Sequence, residues 1–444
     1  MSIRVSYCIV TARRRMNARI LAVLLVAPVC AAAQEPAVSY SSSSYISAAL
    51  AALPEVRSAE QNVKIARNSY QNAFITAFLP AASMEFGTSL YDNDTGAVRL
   101  RKDEIDSSAS VNWNLFNSGR DSVALKTARV SLEQAELALK QLKQSKSSAA
   151  LSRFYALLSD AKLLVVAQQD LADKERQYAL SKRLHEEGFK GLADLLQSEN
   201  NLKSSQLSLA QSEASRFKAL LDFNAYINRE PEAEAALDYA QKPIAVTLPD
   251  LSSDISYTLA NHMDISAAKL ALNQSELGYK ATLLSNLPVF SVDASWNKTG
   301  LFGLPEGASS PNPAYGVAAS LSVPLGFFWA DKYRAVSSSR SAVVKARDAL
   351  EQSLRDVKLS LIKARTDLNV QLKKFSLYEL RSQIARRKLD IVETNYKSGQ
   401  ATSTDLTIAQ NDFLEAQNAF TSAVYNTELL LAAYRVSRGE IIWE

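Results

Sequence analysis

The side chains that most often carry catalysis or bind metal ions are sparse in this chain of 444 residues. Its two histidines, His185 and His262, stand far apart and form neither an H-E-x-x-H nor an H-x3–5-H spacing. Each is therefore expected to be an ordinary surface residue rather than a metal ligand. No P-loop, G-x-G-x-x-G or G-x-S-x-G sequence stands at a strand-to-helix turn either. The sequence predicts a protein that is not an enzyme and that uses no metal or cofactor.

Two aspartates stand at equivalent places in the chain. An Asp-Leu pair begins six residues after Gly188, at Asp194, and again six residues after Gly399, at Asp405. The same offset of 211 residues relates further asparagine and glutamine pairs that follow. This ordered recurrence indicates that the chain contains one unit twice.

Each copy of the unit is predicted to contain a helix that ends in Leu-Pro, two strands, and two long helices joined at the glycine. Gly and Pro number only 13 and 12, which favours long helices over many short strands. The longest helices, at about 1.5 Å per residue, would be rods of roughly 100 Å. Apolar residues in the second rod alternate steps of four and three, which is a coiled-coil pattern. The long helices are predicted at 121–186 and 192–227 in the first copy and at 332–397 and 403–437 in the second.

Four strands are predicted, at 83–91, 107–116, 289–297 and 315–323, and each alternates an apolar face with a small or polar face. Strands of this length and pattern are typical of transmembrane barrels. A soluble, half-buried sheet would alternate as well, so that interpretation stays open for any single strand. Because open strand edges are not tolerated in lipid, several copies are expected to share one barrel. The predicted lipid-facing residues are Phe86, Trp113, Phe290, Trp296 and Tyr315.

The first 33 residues have the layout of a secretory signal peptide. Five arginines precede the apolar run 20–29, and Ala31-Ala32-Ala33 offers a cleavage site. A lipidated Cys30 is the alternative, although Pro28 and Val29 fit a lipobox poorly. These arginines account for the small excess of 50 basic over 46 acidic residues. The rest of the chain is nearly neutral, so no nucleic-acid partner is expected.

The order of these features resembles the TolC family of outer-membrane efflux and secretion ducts. The resemblance covers residues 45–438 and rests on Ala49-Leu50 followed by Leu53-Pro54-Glu55-Val56, the Leu-Pro helix ends, the strand end Trp113-Asn114-Leu115-Phe116 and the paired glycine breaks. It implies a mostly α-helical, duplicated fold and a homotrimer with a 12-stranded β-barrel in the outer-membrane lipid. It also implies a passive tunnel through the periplasm that meets a periplasmic adaptor (a membrane fusion protein) and an inner-membrane RND, ABC or MFS transporter.

The resemblance assigns roles to residues of the hairpin tips as well. Adaptor docking is implied for the tips around Gly188, Gly191, Gly399 and Ser403. Asp405, and less directly Asp194, would ring the periplasmic mouth and set its selectivity. Ile408 and Ala401 stand where TolC itself has a second acid and a basic tip residue, so the resemblance does not imply strict cation selectivity or the same gating contacts.

The resemblance divides the chain into a first repeat (34–227), an inter-repeat equatorial linker (228–254), a second repeat (255–438) and a tail (439–444). A second interpretation is a periplasmic coiled-coil adaptor or scaffold without a pore. Such a protein would share the long hairpins but would also need a lipoyl-like sheet domain, which the sequence does not contain.

Overall fold

The computed structural model describes residues 39–87, 104–239, 248–301, 312–324, 329–398 and 400–443. In this part of the chain the same elements occur twice in the same order: two helices, two strands and two long helices. The first copy contains α1 (Ser42–Ala52), α2 (Pro54–Phe78), β2 (Ala81–Gly87), β3 (Glu104–Phe116), α3 (Arg120–Glu186) and α4 (Leu192–Tyr226). The second contains α5 (Leu251–Asn261), α6 (Met263–Leu284), β5 (Val289–Leu301), β6 (Ala314–Ser322), α7 (Trp329–Lys397) and α8 (Ser403–Arg438). Two short strands, β1 (Ser39–Tyr40) and β4 (Ala236–Leu237), form a parallel pair.

This order confirms the mostly helical, duplicated architecture. The two longest helices, α3 and α7, have 67 and 69 residues. The observed bounds of some elements differ from the predicted ones. Strand β3 begins earlier, at Glu104, and β5 extends farther, to Leu301, while α5 occupies the last residues of the expected 228–254 linker. The expected signal peptide 1–33, Cys30, Gly399 and residues 88–91 of the first expected strand lie outside the described residues. No helix in the described part of the chain is long and apolar enough to cross a membrane.

The helices form two layers that share α3 and α7. Near the sheet, α3 packs against α2 and α6, and α6 packs against α7, which gives the order α2-α3-α6-α7. Farther from the sheet, α3 packs against α4 and α8, and α8 packs against α7, which gives the order α4-α3-α8-α7. We call α3 with α4 hairpin 1 and α7 with α8 hairpin 2. Neighbouring helices in both layers run antiparallel, since each chain segment leaves the sheet and returns.

The end of α8 meets the start of α6, so that one helix continues the line of the other. Gly439 ends α8 in the left-handed conformation with φ +88°, and a Cβ there would lie 3.1 Å from the Cα of His262. Glycine is therefore required twice over at this position, by its φ and by the close approach. The side chain of Gln144 on α3 donates to the carbonyl oxygen of Glu440 at 2.8 Å, which holds the chain end against α3.

The coiled-coil prediction for α7 agrees with the observed burial. Val357, Leu361 and Leu368 are 4%, 0% and 0% exposed. Leu361 and Leu368 pack against residues of α5 and α8. A larger core lies where the two layers join, and it contains aromatic residues from both repeats. Apolar burial of this kind supplies most of the stability of such long helices.

The four long strands form one antiparallel sheet in the order β2-β3-β5-β6, with β2 and β6 at its edges. Residues directly opposite each other share a face, and the register places Met84, Ala109, Trp296 and Tyr315 in one row. The opposite face carries side-chain hydrogen bonds, such as Ser83 with Ser110 at 2.8 Å. The sheet therefore has one apolar and one polar face.

Candidate functional site

The tip of hairpin 1 is a tight turn between α3 and α4. Gly188 adopts φ +78°, a conformation that L-residues rarely take. The carbonyl oxygen of Lys190 lies 2.9 Å from Nδ1 of His185, which closes the turn. Gly191 serves as the N-cap of α4 without any side-chain hydrogen bond. The turn presents Phe189, which is 77% exposed, at its end.

Two side-chain pairs join the tips close to their turns, and one turn farther from the tip Asn201 on α4 donates to the hydroxyl of Thr407 on α8 at 3.1 Å. The hydroxyl of Ser403, in hairpin 2, donates to Oδ1 of Asp194, in hairpin 1, at 2.6 Å. The ammonium of Lys190 hydrogen-bonds the hydroxyl of Tyr396 and lies 4.2 Å from the centroid of that ring. The Asp194–Ser403 hydrogen bond and the contact of the Lys190 ammonium with Tyr396 therefore bridge the tips of the two hairpins.

Burial lowers the pKa of Lys190, and the nearby carboxylate of Asp194 opposes this effect. The carboxylate of Asp194 is therefore close enough to act on the charge of Lys190, so the two side-chain pairs between the tips are electrostatically linked. The sequence pattern did not indicate Lys190 or Tyr396. Their counterparts in the other repeat are Ala401 and His185, so the repeat gives no hint that the two residues meet.

Asp405 lies at the start of α8 rather than at the contact between the tips. It is exposed, and its carboxylate accepts from the backbone N–H of Thr402 at 3.0 Å and from the hydroxyl of Thr402 at 2.7 Å. The backbone N–H of Asp405 donates to the same hydroxyl at 3.1 Å, which completes a capping box. The hydrogen bonds from Thr402 lower the pKa of Asp405. The aspartate is thus held ionised at the helix start, where negative charge is favourable.

The structure brings together only some of the residues expected at the tips. Asp194 and Ser403 form a direct hydrogen bond. Gly188 and Gly191 shape the first turn without contributing side chains, and Gly399 lies outside the described residues. Thr402, which sequence reasoning missed, controls the orientation of Asp405. The sequence Thr-x-x-Asp before a helix was a sufficient signal for this cap.

The five residues expected to face lipid share one face of the sheet. Phe86, Trp113 and Tyr315 are 68%, 46% and 77% exposed, and Phe290 and Trp296, on the inner strand β5, are half-buried. On the opposite face the amide of Asn112 donates to Asp293, and the hydroxyls of Ser291 and Ser320 lie 2.8 Å apart.

His262 differs from the expectation of an ordinary surface residue. Its side chain is 12% exposed, and Nδ1 accepts a hydrogen bond from the backbone N–H of Asp264 at 3.2 Å, which caps α6. Burial lowers the pKa of His262, and the carboxylate of Asp264 opposes that shift. In the described ranges, no cluster of three or more His, Cys, Asp or Glu residues could hold a metal ion.

Comparison with known proteins places these features in a family. The family model described as outer membrane efflux protein matches residues 45–229 and 255–433. Protein CyaE of Bordetella pertussis is similar, at 22% identity over 378 residues, which span 84% of this chain and 78% of CyaE.

Solved structures of outer-membrane proteins have a similar fold. VceC of Vibrio cholerae superposes with a TM-score of 0.72 at 16% identity, over 90% of this chain and 96% of VceC. The open state of the outer membrane channel MtrE of Neisseria gonorrhoeae gives a TM-score of 0.71 at 18% identity, over 90% of this chain and 89% of MtrE. At these identities the likeness is one of fold, and it extends over both repeats.

Proposed function

The chain belongs to the outer membrane efflux protein family, and from this membership we propose that it is a passive channel in the outer membrane. Three copies form one barrel from their strands and one periplasmic tunnel from their helices. The tunnel receives substrate from a periplasmic adaptor and an inner-membrane RND, ABC or MFS transporter, in efflux or type I secretion. The observation that carries this proposal is the four-stranded sheet, which has one apolar face, one polar face and, among the described residues, two edges without a partner strand.

The two faces of the sheet support a membrane position for it. A sheet in lipid must turn apolar side chains outward and satisfy every backbone group within a closed barrel. Trp113 and Tyr315 are exposed on the apolar face of the single chain, while serine and asparagine cover the other face. In the part of the chain that the structure describes, β2 and β6 each have one edge without a partner strand. Pairing β2 of one copy with β6 of the next closes the ring, and three copies supply twelve strands.

The order of the helices supports the same head-to-tail closure. The helical layers end in α2 and α7 near the sheet and in α4 and α7 farther from it. In both layers one edge comes from the first repeat and the other from the second. Because α2 and α4 run opposite to α7, placing the next copy beside α7 continues the antiparallel alternation. A contact between two different surfaces, repeated from copy to copy, forms a closed ring when the rotation between neighbouring copies divides a full turn evenly.

The edge helices α4 and α7 also carry apolar stripes that stay exposed among the described residues of the single chain. Within each helix these residues fall in an arc of about 80° at 100° per residue, on a face turned away from the helix partner within the hairpin. Such stripes favour burial against another helix. The exposed members are Leu192, Leu196, Leu207 and Phe217 on α4, and Val370, Leu377, Leu380, Ile384 and Ile391 on α7.

The hairpin tips form the periplasmic mouth in this proposal. The pairs Lys190–Tyr396 and Asp194–Ser403 hold the tips together when the mouth is closed. Adaptor docking at the tips around Gly188, Gly191 and Ser403 loosens these contacts, and substrate then diffuses through. The exposed Phe189 gives the adaptor an apolar contact next to the polar pairs, an arrangement common in interfaces between proteins.

Two measurements test the proposal. Purified protein added to a planar lipid bilayer should give discrete conductance steps, and the protein should stay in isolated outer membranes through salt and carbonate washes until detergent is added. A coiled-coil scaffold without a pore would wash off and would conduct no ions. That result would overturn the channel proposal.

Crosslinking tests the arrangement of the copies. A chain that carries Leu207→Cys and Leu380→Cys should form covalent dimers and trimers with a short bismaleimide, because the stripes of α4 and α7 face each other between copies. The matched control replaces Leu380→Cys with Glu379→Cys, which is exposed but lies on another face of α7. Equal crosslinking of both variants would contradict the α4–α7 contact.

A further inference from the structure

The two hairpins bury different chemistry at equivalent positions near their tips. Three buried positions on the seam of hairpin 1 are polar, and the positions 211 residues later on the seam of hairpin 2 are all alanine. Every one of these residues is less than 9% exposed. The equivalent pairs are Lys174 with Ala385, Ser198 with Ala409, and Ser205 with Ala416.

In hairpin 2 the seam is a continuous apolar contact. Leu389 of α7 packs on Leu406 and Ala409 of α8, and these residues are 6%, 5% and 0% exposed. Half-buried Val392 and Phe413 extend the same cluster. Small and apolar residues of this kind close a coiled-coil seam without any polar group to satisfy.

In hairpin 1 the seam contains a buried ammonium group. Lys174 is 4% exposed, and its Nζ donates to Oε1 of Gln410 on α8 at 2.6 Å. The acceptor is thus a neutral amide that belongs to the other hairpin. Burial lowers the pKa of Lys174, and the carboxylates of Asp170 and Asp173 oppose that effect.

Other polar groups beside Lys174 are only partly satisfied. Gln177, one turn farther along α3, is 8% exposed, and its Oε1 has no hydrogen-bond partner within the described residues. Ser205 of α4 donates to Oδ2 of Asp170 at 2.5 Å, which is a direct polar tie between the helices of hairpin 1. Burying a charge or an amide oxygen without a hydrogen-bond partner costs free energy, because the group loses its contacts with water. That cost is removed when the helices separate and water reaches the group again. The seam of hairpin 1 therefore gains less from staying closed than the seam of hairpin 2.

We propose that the tip-proximal part of hairpin 1, residues 174–205, is a soft segment that opens locally, whereas residues 385–398 and 400–416 of hairpin 2 stay closed as a rod. Lys174 is the main cause, since it places a charge where the equivalent position has a methyl group. Each copy then brings one yielding and one rigid hairpin to the tips. Local opening of this kind is independent of global unfolding, and the inference holds whether or not the protein conducts ions.

Hydrogen exchange of the full-length protein in detergent, followed by mass spectrometry, tests this inference. Helical peptides from 174–186 and 192–205 should exchange about tenfold faster than those from 385–397 and 403–416. Lys174→Met keeps the length of the side chain but removes the charge, so it should slow exchange in hairpin 1 and leave hairpin 2 unchanged. The reciprocal variant, Ala385→Lys, should speed exchange in hairpin 2.

A second variant keeps the test decisive if Lys174→Met does not assemble. Gln177→Met removes the buried amide whose Oε1 has no hydrogen-bond partner within the described residues, so it should also slow exchange across 174–205. Equal protection of the two hairpins in the natural protein would overturn the inference. It would also be overturned if assembled Lys174→Met or Gln177→Met exchanged in hairpin 1 as fast as the natural protein. Loss of conductance alone would bear on the channel proposal and not on this one.

Discussion

Asp254 occupies in the second repeat the position that Tyr45 occupies in the first. Each is the fourth residue of an 11-residue helix, α5 or α1, and each is fully buried at 0% exposure. Tyr45 stacks on Phe223 with ring centroids 4.0 Å apart and donates its hydroxyl to the carbonyl oxygen of that residue at 2.9 Å. At the position equivalent to Phe223, Tyr434 donates its hydroxyl to Asp254.

A third pair of equivalent positions also carries an aromatic ring in the first repeat and a charged side chain in the second. Phe154, fully buried beside Tyr45, corresponds to Arg365, whose guanidinium lies 2.6 Å from Oδ2 of Asp254. Arg438 approaches Oδ1 of the same carboxylate at 3.2 Å. The first repeat thus fixes its short helix with stacked rings, and the second fixes α5 with one buried carboxylate between two arginines.

We expect Asp254→Asn to destabilise the protein strongly. The substitution keeps the shape of the side chain but leaves Arg365 and Arg438, which are only 18% and 23% exposed, without their shared anion. Breaking a buried ion pair from one side costs about 3–5 kcal/mol. The measurement is the thermal or urea midpoint of unfolding of the purified protein.

Tyr45→Phe is the matched control in the first repeat. It removes one buried hydrogen bond but keeps the ring stacked on Phe223, so it should cost only about 1 kcal/mol. A loss for Asp254→Asn no larger than the loss for Tyr45→Phe would show that the charged cluster contributes no more than one ordinary hydrogen bond.

We expect stability to fall as the pH drops below about 6.5, the ordinary pKa of histidine, and His262 to contribute to that fall. Because burial lowers its pKa in the folded state, the unfolded chain takes up the proton first, and stability is lost from the unfolded pKa down to the folded one. Protonation also occupies Nδ1, which accepts the capping hydrogen bond from Asp264. Unfolding midpoints between pH 5 and 8 measure the effect.

His262→Asn should reduce this acid sensitivity, since asparagine caps a helix without titrating. Asp264→Asn should do the opposite, because the carboxylate of Asp264 is the group that raises the pKa of His262 towards its usual value. Parallel pH profiles for both variants and the natural protein would exclude His262 as a source of the acid sensitivity.

The sequence allowed the order and type of the long elements to be predicted, because each has a strong periodic signal. The Asp254 cluster was not predictable in the same way. Asp254 lay within the expected 228–254 linker, and its partners Arg365 and Tyr434 are more than one hundred residues away. A repeat search matches similar residues, so it does not register an aspartate in place of a tyrosine.

The sites at the tips show the same limit. Asp194 and Asp405 stood out because the repeat places both after a glycine, yet their surroundings differ. Asp194 accepts from Ser403 across the hairpins, and Asp405 caps its own helix. The contact of Lys190 with Tyr396 depends on how two hairpins lie beside each other, which local sequence patterns do not encode.

If the tips close the mouth as proposed, removing their contacts should favour the open state. Lys190→Met deletes the ammonium, and Ser403→Ala deletes the hydrogen bond to Asp194. At about 1 kcal/mol for each contact, the double variant should shift the closed-to-open ratio by roughly thirtyfold. Single-channel recordings measure this as a higher baseline conductance.

Lys203→Met is the control for loss of a lysine, because Lys203 is exposed on α4. It should leave the baseline conductance unchanged. An unchanged baseline for the double variant as well would remove both contacts from gating.

Asp405 should contribute to a preference for cations at the mouth. Its pKa is lowered by the hydrogen bonds from Thr402, so its charge should persist until the pH falls below the usual range of aspartate, about 4. Asp405→Asn retains an oxygen for the capping box but loses the charge, whereas Asp405→Ala loses both. Both variants should lower the ratio of cation to anion permeability in bilayer recordings. If neither variant changes this ratio, Asp405 serves α8 only as a cap.

The two faces of β6 should respond oppositely to the same substitution. Val317, at 79% exposure, lies on the apolar face, and arginine there would face the bilayer core at a cost of about 2–4 kcal/mol. The next residue, Ala318, is paired with Asp293 on the polar face, where an arginine would lie in water beside a carboxylate. We therefore expect Val317→Arg to impair folding into lipid vesicles and Ala318→Arg to be tolerated, as measured by urea titration of the vesicle-inserted protein. Equal effects at both positions would mean that the apolar face does not contact lipid, and the barrel assignment would fail with it.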